Sequence, residues 1–138
     1  MMENLKVKKP YEMALKYSEC YWNNFFAFME IDEKALTFLK LCKEKQIPVC
    51  LVTDMLIEVQ IKKVVKLNIS DYIEYIVSSE EAGIEKPDEK IFTTALKKLK
   101  IKPSEAIMIG DCYEKDIVGA DNLGIKSYQV EVLNSTRK

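Results

Sequence analysis

The sequence has no histidine and only four glycines, four prolines and four cysteines. Without imidazole there is no Ser-His or Cys-His nucleophile pair, and zinc loses its commonest nitrogen ligand. Cys20, Cys42, Cys50 and Cys112 show no CxxC and no metal-ligand spacing. Cys42 and Cys50 lie in apolar surroundings and read as small core residues. Neither sign of charge is in excess: Lys+Arg total 21 and Asp+Glu 22, a net charge of -1. No broad basic field exists to gather nucleic acid or anionic lipid, so neither is expected as a partner. No apolar run approaches the ~18 residues of a membrane span, and MMENLKVKKP has no signal-type apolar core. A cytoplasmic protein is expected.

What is present fits a folded domain. A chain of 138 residues with 48% hydrophobic and 31% charged residues can bury a core unaided. Residues 11–29 place Met13, Tyr17, Tyr21, Trp22, Phe25 and Met29 at helical spacing after Pro10, which predicts a helix packed on the core or on another subunit. Asp32 is placed to cap a helix near 33–45, with Leu36, Leu39 and Cys42 on one side. Beyond it, VCLV, IEYIV, IMIG and SYQVEV alternate with helical stretches near 56–67, 89–100 and 114–122. VCLV and IMIG are too apolar to alternate and read as buried strands. Such alternation means βαβ units: an α/β, Rossmann-like parallel sheet with helices on both faces. Ligands of such sheets bind beyond the carboxyl ends of the strands.

Three of these ends carry chemistry. VCLV runs into Thr53 and Asp54, the stretch after IEYIV reaches Lys86 in GIEKPDEKIF, and IMIG runs into GDCYEKD with Asp111 and Asp116. Paired carboxylates suit a hard, oxygen-liganded cation such as Mg²⁺. A hydroxyl and an ammonium suit phosphate oxygens. Each feature alone has an ordinary structural explanation; all three in this order describe a phosphoryl site, where catalysis is mostly positioning and charge neutralisation.

With these residues in place, residues 33 to 130 resemble the haloacid dehalogenase-like (HAD) hydrolases, closest to members with a helical cap after the first strand. VCLVTD is similar to the family's second motif, GIEKPDEKIF to its third and GDCYEKD to its fourth. The resemblance implies a Mg²⁺-dependent phosphatase with Thr53 and Lys86 catalytic, Thr53, Asp54 and Lys86 on phosphate, and Asp111 and Asp116 on metal. Asp54 departs from the asparagine common there and adds a negative charge at the phosphate position.

The family's first motif, DxDx(T/V), supplies the nucleophilic aspartate from the central strand. This sequence has aspartates at 32, 54, 71, 88, 111, 116 and 121, no two of them two apart. The expectation is therefore a HAD core lacking its first, central strand: a truncated product, a fragment or one piece of a split enzyme. Such a chain is inactive alone and holds Mg²⁺ weakly. Residues 1–32 would be the remnant of the cap region and 33–138 the α/β core. Two strands would be left with facing unpaired edges, which close up or accept a segment. NLKVK (4–8), a second copy in a homodimer, or a partner chain are the candidates. The alternative is a non-catalytic module that binds a phosphorylated ligand or a protein. A receiver-like phosphoacceptor is excluded by motif order, and dehalogenase chemistry would need the same missing nucleophile.

Overall fold

The computed structural model describes residues 9–131; NLKVK lies outside them. Helix α1 spans Pro10–Ala27 and α2 Glu33–Glu44. As expected, Asp32 opens α2: its Oδ1 accepts from the Lys34 and Ala35 amides at 2.9 and 3.0 Å. Strand β1 (Cys50–Thr53) leads into α3 (Ile57–Lys66), then β2 (Tyr75–Ser78) and the single-turn α4 (Ser79–Ala82). Gly83 ends α4 at φ 73°, a left-handed conformation that glycine adopts without a Cβ penalty. Helix α5 (Glu89–Leu99) follows, then β3 (Ile107–Gly110), α6 (Val118–Asp121) and β4 (Lys126–Gln129). A π-helical turn over Tyr113–Ile117 joins β3 to α6, where the sequence predicts ordinary helix.

The strands form two separate parallel pairs, β1–β2 and β3–β4. Leu51 stands opposite Ile76 in one and Met108 opposite Ser127 in the other. Among the described residues no ladder joins β1 to β3, so the two facing edges have not closed on each other. They are held instead by a common wall, α5. Its inward face brings Ile91 (0% exposed), Phe92, Ala95 and Leu96 against Val77 of β2, Ala120 of α6 and Ile125. Cys50 and Val52 of β1 and Met108 of β3 pack on the same cluster. Each fully buried side chain such as Ile91 contributes roughly 2 kcal/mol of transfer free energy. The opposite side of β3 is open: Ile107 and Ile109 are 61% and 42% exposed, so IMIG is covered on one face only.

The aromatic helix differs more. No residue of α1 is buried, and Tyr17 and Tyr21 stay 58% and 60% exposed. The predicted stripe does not pack on this chain's core. Its rings pair along the helix instead: Tyr21 stacks on Phe25 with centroids 6.1 Å apart, and Trp22 on Phe26 at 5.7 Å. Side chains four apart meet on a helix, and that produces a periodic stripe with no core behind it. The Lys63 ammonium, 5.5 Å above the Phe25 ring, links α1 to α3.

Candidate functional site

The carboxyl ends of β1, β2 and β3 turn into loops that meet. Thr53 ends β1, and its Oγ1 accepts a 2.7 Å hydrogen bond from the Gln60 side chain on α3. An accepting hydroxyl keeps its own proton to donate to a ligand. Asp54 follows and is bound from two sides. The Lys86 amide donates to Oδ1 at 2.8 Å, and the Lys115 ammonium lies 2.8 Å from Oδ2. Burial alone would push the Asp54 carboxyl up, but the Lys115 ammonium and the Lys86 amide outweigh it and hold the group below its usual range.

Lys86 stands before a cis Lys86–Pro87 peptide. Its ammonium meets Asp116 Oδ1 at 2.6 Å, with the two side chains only 12% and 4% exposed. The other Asp116 oxygen accepts from the Cys112 amide at 3.1 Å. A charge so deeply placed is retained only when paired and hydrogen-bonded; Asp116 is both. Gly110 permits this approach, because a Cβ there would overlap the Asp116 carboxylate. Asp111 lies on the surface one residue beyond Gly110, and its carbonyl accepts from the Gln129 side chain at 3.1 Å.

Asp54, Lys86 and Asp116 are thus joined directly, with Thr53 beside Asp54 and Asp111 at the end of β3. Three contributors escape the sequence reading. Gln60 orients Thr53, the Cys112 amide holds Asp116, and Lys115 answers the charge of Asp54. The last had a signal: an extra carboxylate at a strand end calls for a cation nearby, and Lys115 lies within GDCYEKD itself.

A family model described as haloacid dehalogenase-like hydrolase matches residues 1–130. The chain belongs to this family. Among its HAD relatives, a ribulose-1,5-bisphosphate 5-phosphatase of Halopiger xanaduensis is 32% identical over 83% of this chain and 48% of its own length. A glyceraldehyde 3-phosphate phosphatase of Pyrococcus furiosus is 38% identical over 78% of this chain and 45% of its own. The chain therefore spans about half the length of the curated relatives it matches. In fold it resembles a HAD phosphatase from Thermococcus onnurineus (TM-score 0.71, 23% identity, 78% of this chain and 49% of that one). A β-phosphoglucomutase candidate from Thermotoga maritima is similar over 99% of this chain and 64% of its own, with TM-score 0.83 and 22% identity. The fold is the Rossmann-like α/β fold of HAD proteins.

The donor set suits a HAD-type Mg²⁺ in kind but is short in number. Asp111 and Asp116 are hard oxygen donors, yet both Asp116 oxygens are already engaged. Among the described residues no cluster of three or more acidic, cysteine or histidine side chains is placed to hold a metal. A shallow, open groove adjoins the site at Asp54 and is lined by Met55, Leu56, Glu80, Gly83 and Glu85. No helix among the described residues is long and apolar enough to cross a membrane.

Proposed function

We propose that this chain is the C-terminal part of a HAD phosphatase: one side of a Mg²⁺-assisted site for phosphoric monoesters, completed by an aspartate-bearing strand seated between β1 and β3. The observation that carries this reading is the Lys86–Asp116 pair, a nearly buried cation and carboxylate held together across two strand pairs that share no ladder among the described residues. Thr53 and Lys86 would meet the phosphate oxygens, and Asp111 and Asp116 would hold Mg²⁺, which neutralises phosphoryl charge when bound. Residues 1–32 would belong to a cap and 33–138 to the catalytic core. The phosphatases among its relatives favour a small phosphorylated substrate. The four unpaired cysteines suit a reducing compartment such as the cytoplasm.

Phosphoryl transfer through an aspartyl intermediate needs a carboxylate outside this sequence, so the chain alone is expected not to turn over p-nitrophenyl phosphate with Mg²⁺. Turnover abolished by Asp111→Asn would overturn the incomplete-site reading. Calorimetric titration with inorganic phosphate and Mg²⁺ tests the rest: binding is expected, and Lys86→Met, at a temperature where circular dichroism shows it folded, should weaken it by about tenfold or more. A wild-type chain that binds no phosphate sinks the proposal.

A second reading is favoured by the exposed rings of α1: a non-catalytic module whose aromatic helix contacts a protein, a second copy of the chain included. Sedimentation showing a clean monomer removes the homodimer version.

A further inference from the structure

The site contains a closed ionic circuit that its phosphate-binding role does not by itself require. Asp54 takes the Lys86 amide on Oδ1 and the Lys115 ammonium on Oδ2. The Lys86 side chain crosses to Asp116, and Asp116 is the chain neighbour of Lys115, which closes the ring. Asp54 and Lys86 belong to loops of the β1–β2 pair, whereas Lys115 and Asp116 belong to the turn after β3. Both ion pairs therefore span two strand pairs that share no ladder. The Asp54–Lys115 link joins residues 61 apart in sequence.

We infer that Lys115 is a positioning residue: by holding Asp54 it fixes the Lys86 backbone beneath the anion position and cancels a carboxylate charge that would otherwise repel the anion. The inference rests on the phosphate reading above. Charge balance supports it. Around the site stand two cations, Lys86 and Lys115, and four carboxylates, Asp54, Glu85, Asp111 and Asp116. Removing Lys115 leaves one cation against four carboxylates. Neutralising Asp54 as well leaves one against three and restores the original balance. Geometry supports it too. With Lys115 on one oxygen, the carboxylate plane is set so that the other faces the Lys86 amide; without it the amide alone orients the group. Glu85 Oε2, 3.5 Å from the Lys115 ammonium, is the other acid facing it, and at 63% exposed it is screened by solvent. The Lys115 side chain is itself 43% exposed, so its loss leaves no void in the core.

The test is a double-mutant cycle on the full chain with two readouts. In Lys115→Met, the Lys86 amide should lose about tenfold of its hydrogen-exchange protection, and the dissociation constant for inorganic phosphate should rise about tenfold. Asp54→Asn added to Lys115→Met should recover most of the lost phosphate affinity, since the asparagine oxygen still accepts from the Lys86 amide. Lys115→Arg should retain both the protection and the affinity. A purely structural role would give a falling melting temperature that Asp54→Asn does not rescue. Unchanged Lys86 protection in Lys115→Met, or no rescue by Asp54→Asn, overturns the inference. The exchange readout needs no ligand, so a wild type that fails to bind phosphate counts against the proposed function and leaves the role of Lys115 in holding Asp54 to be decided by exchange.

Discussion

Asp54 shows how one side chain departs from a family's habit and is accommodated. Its carboxylate is met from two distant loops, by the Lys115 ammonium and by the Lys86 backbone amide. The acid is held below its normal range, so its folded pKa lies under the unfolded one of 3.8. Such a group adds stability that is complete above the unfolded value and is lost as pH falls through the folded one. Acidification below about pH 4 should therefore destabilise the wild type more steeply than Asp54→Asn, in urea unfolding followed from pH 6 to pH 3. Cys50, by contrast, is pushed up to about 11 by burial, which keeps its thiol protonated and inert at neutral pH.

Among the elements, α5 is where sequence and structure agree most closely. Its spacing puts Phe92, Leu96 and Leu99 inward; Phe92 and Leu96 are 2% and 7% exposed, and Leu99 is half-buried. Asp32 was equally readable, because a cap is a local interaction between near neighbours. The one-sided exposure of β3 was not, since an apolar run does not say which of its faces a helix will cover. Nor was the fate of α1, whose rings satisfy one another along the helix and mimic a core-facing stripe. Thr53, Lys86, Asp111 and Asp116 stand out in the sequence because each lies at or beyond a strand end, whereas Lys115–Asp54 depends on which loops meet. The α5–α6 contact is tight enough to test by one methyl group. A Cβ on Gly119 would lie 2.6 Å from the ring of buried Phe92 and 3.1 Å from the Pro87 carbonyl oxygen. Gly119→Ala should cost about 1–3 kcal/mol in chemical denaturation, through overpacking.

At the scale of the whole molecule, the described residues form two parallel strand pairs joined by a helix on one side and by ions at one end. In an extended strand, alternate amides point to opposite edges. Among the described residues β1 and β3 are each paired on one edge only, so every second amide of Cys50–Thr53 and Ile107–Gly110 should exchange with solvent about tenfold or more faster than its neighbours. Uniform protection along both strands would mean that a segment occupies the gap in solution. The same experiment repeated with a candidate partner strand would report its docking directly.

The Lys86–Asp116 pair has a consequence for how this protein can change. One carboxylate faces the site while neutralising a nearly buried ammonium and taking up a backbone amide. Breaking such a pair by removing one member costs about 3–5 kcal/mol, a large part of what a small domain has to lose. Substitution of either residue should therefore lower the melting temperature by itself, and a screen with no substrate in hand would pick both positions out.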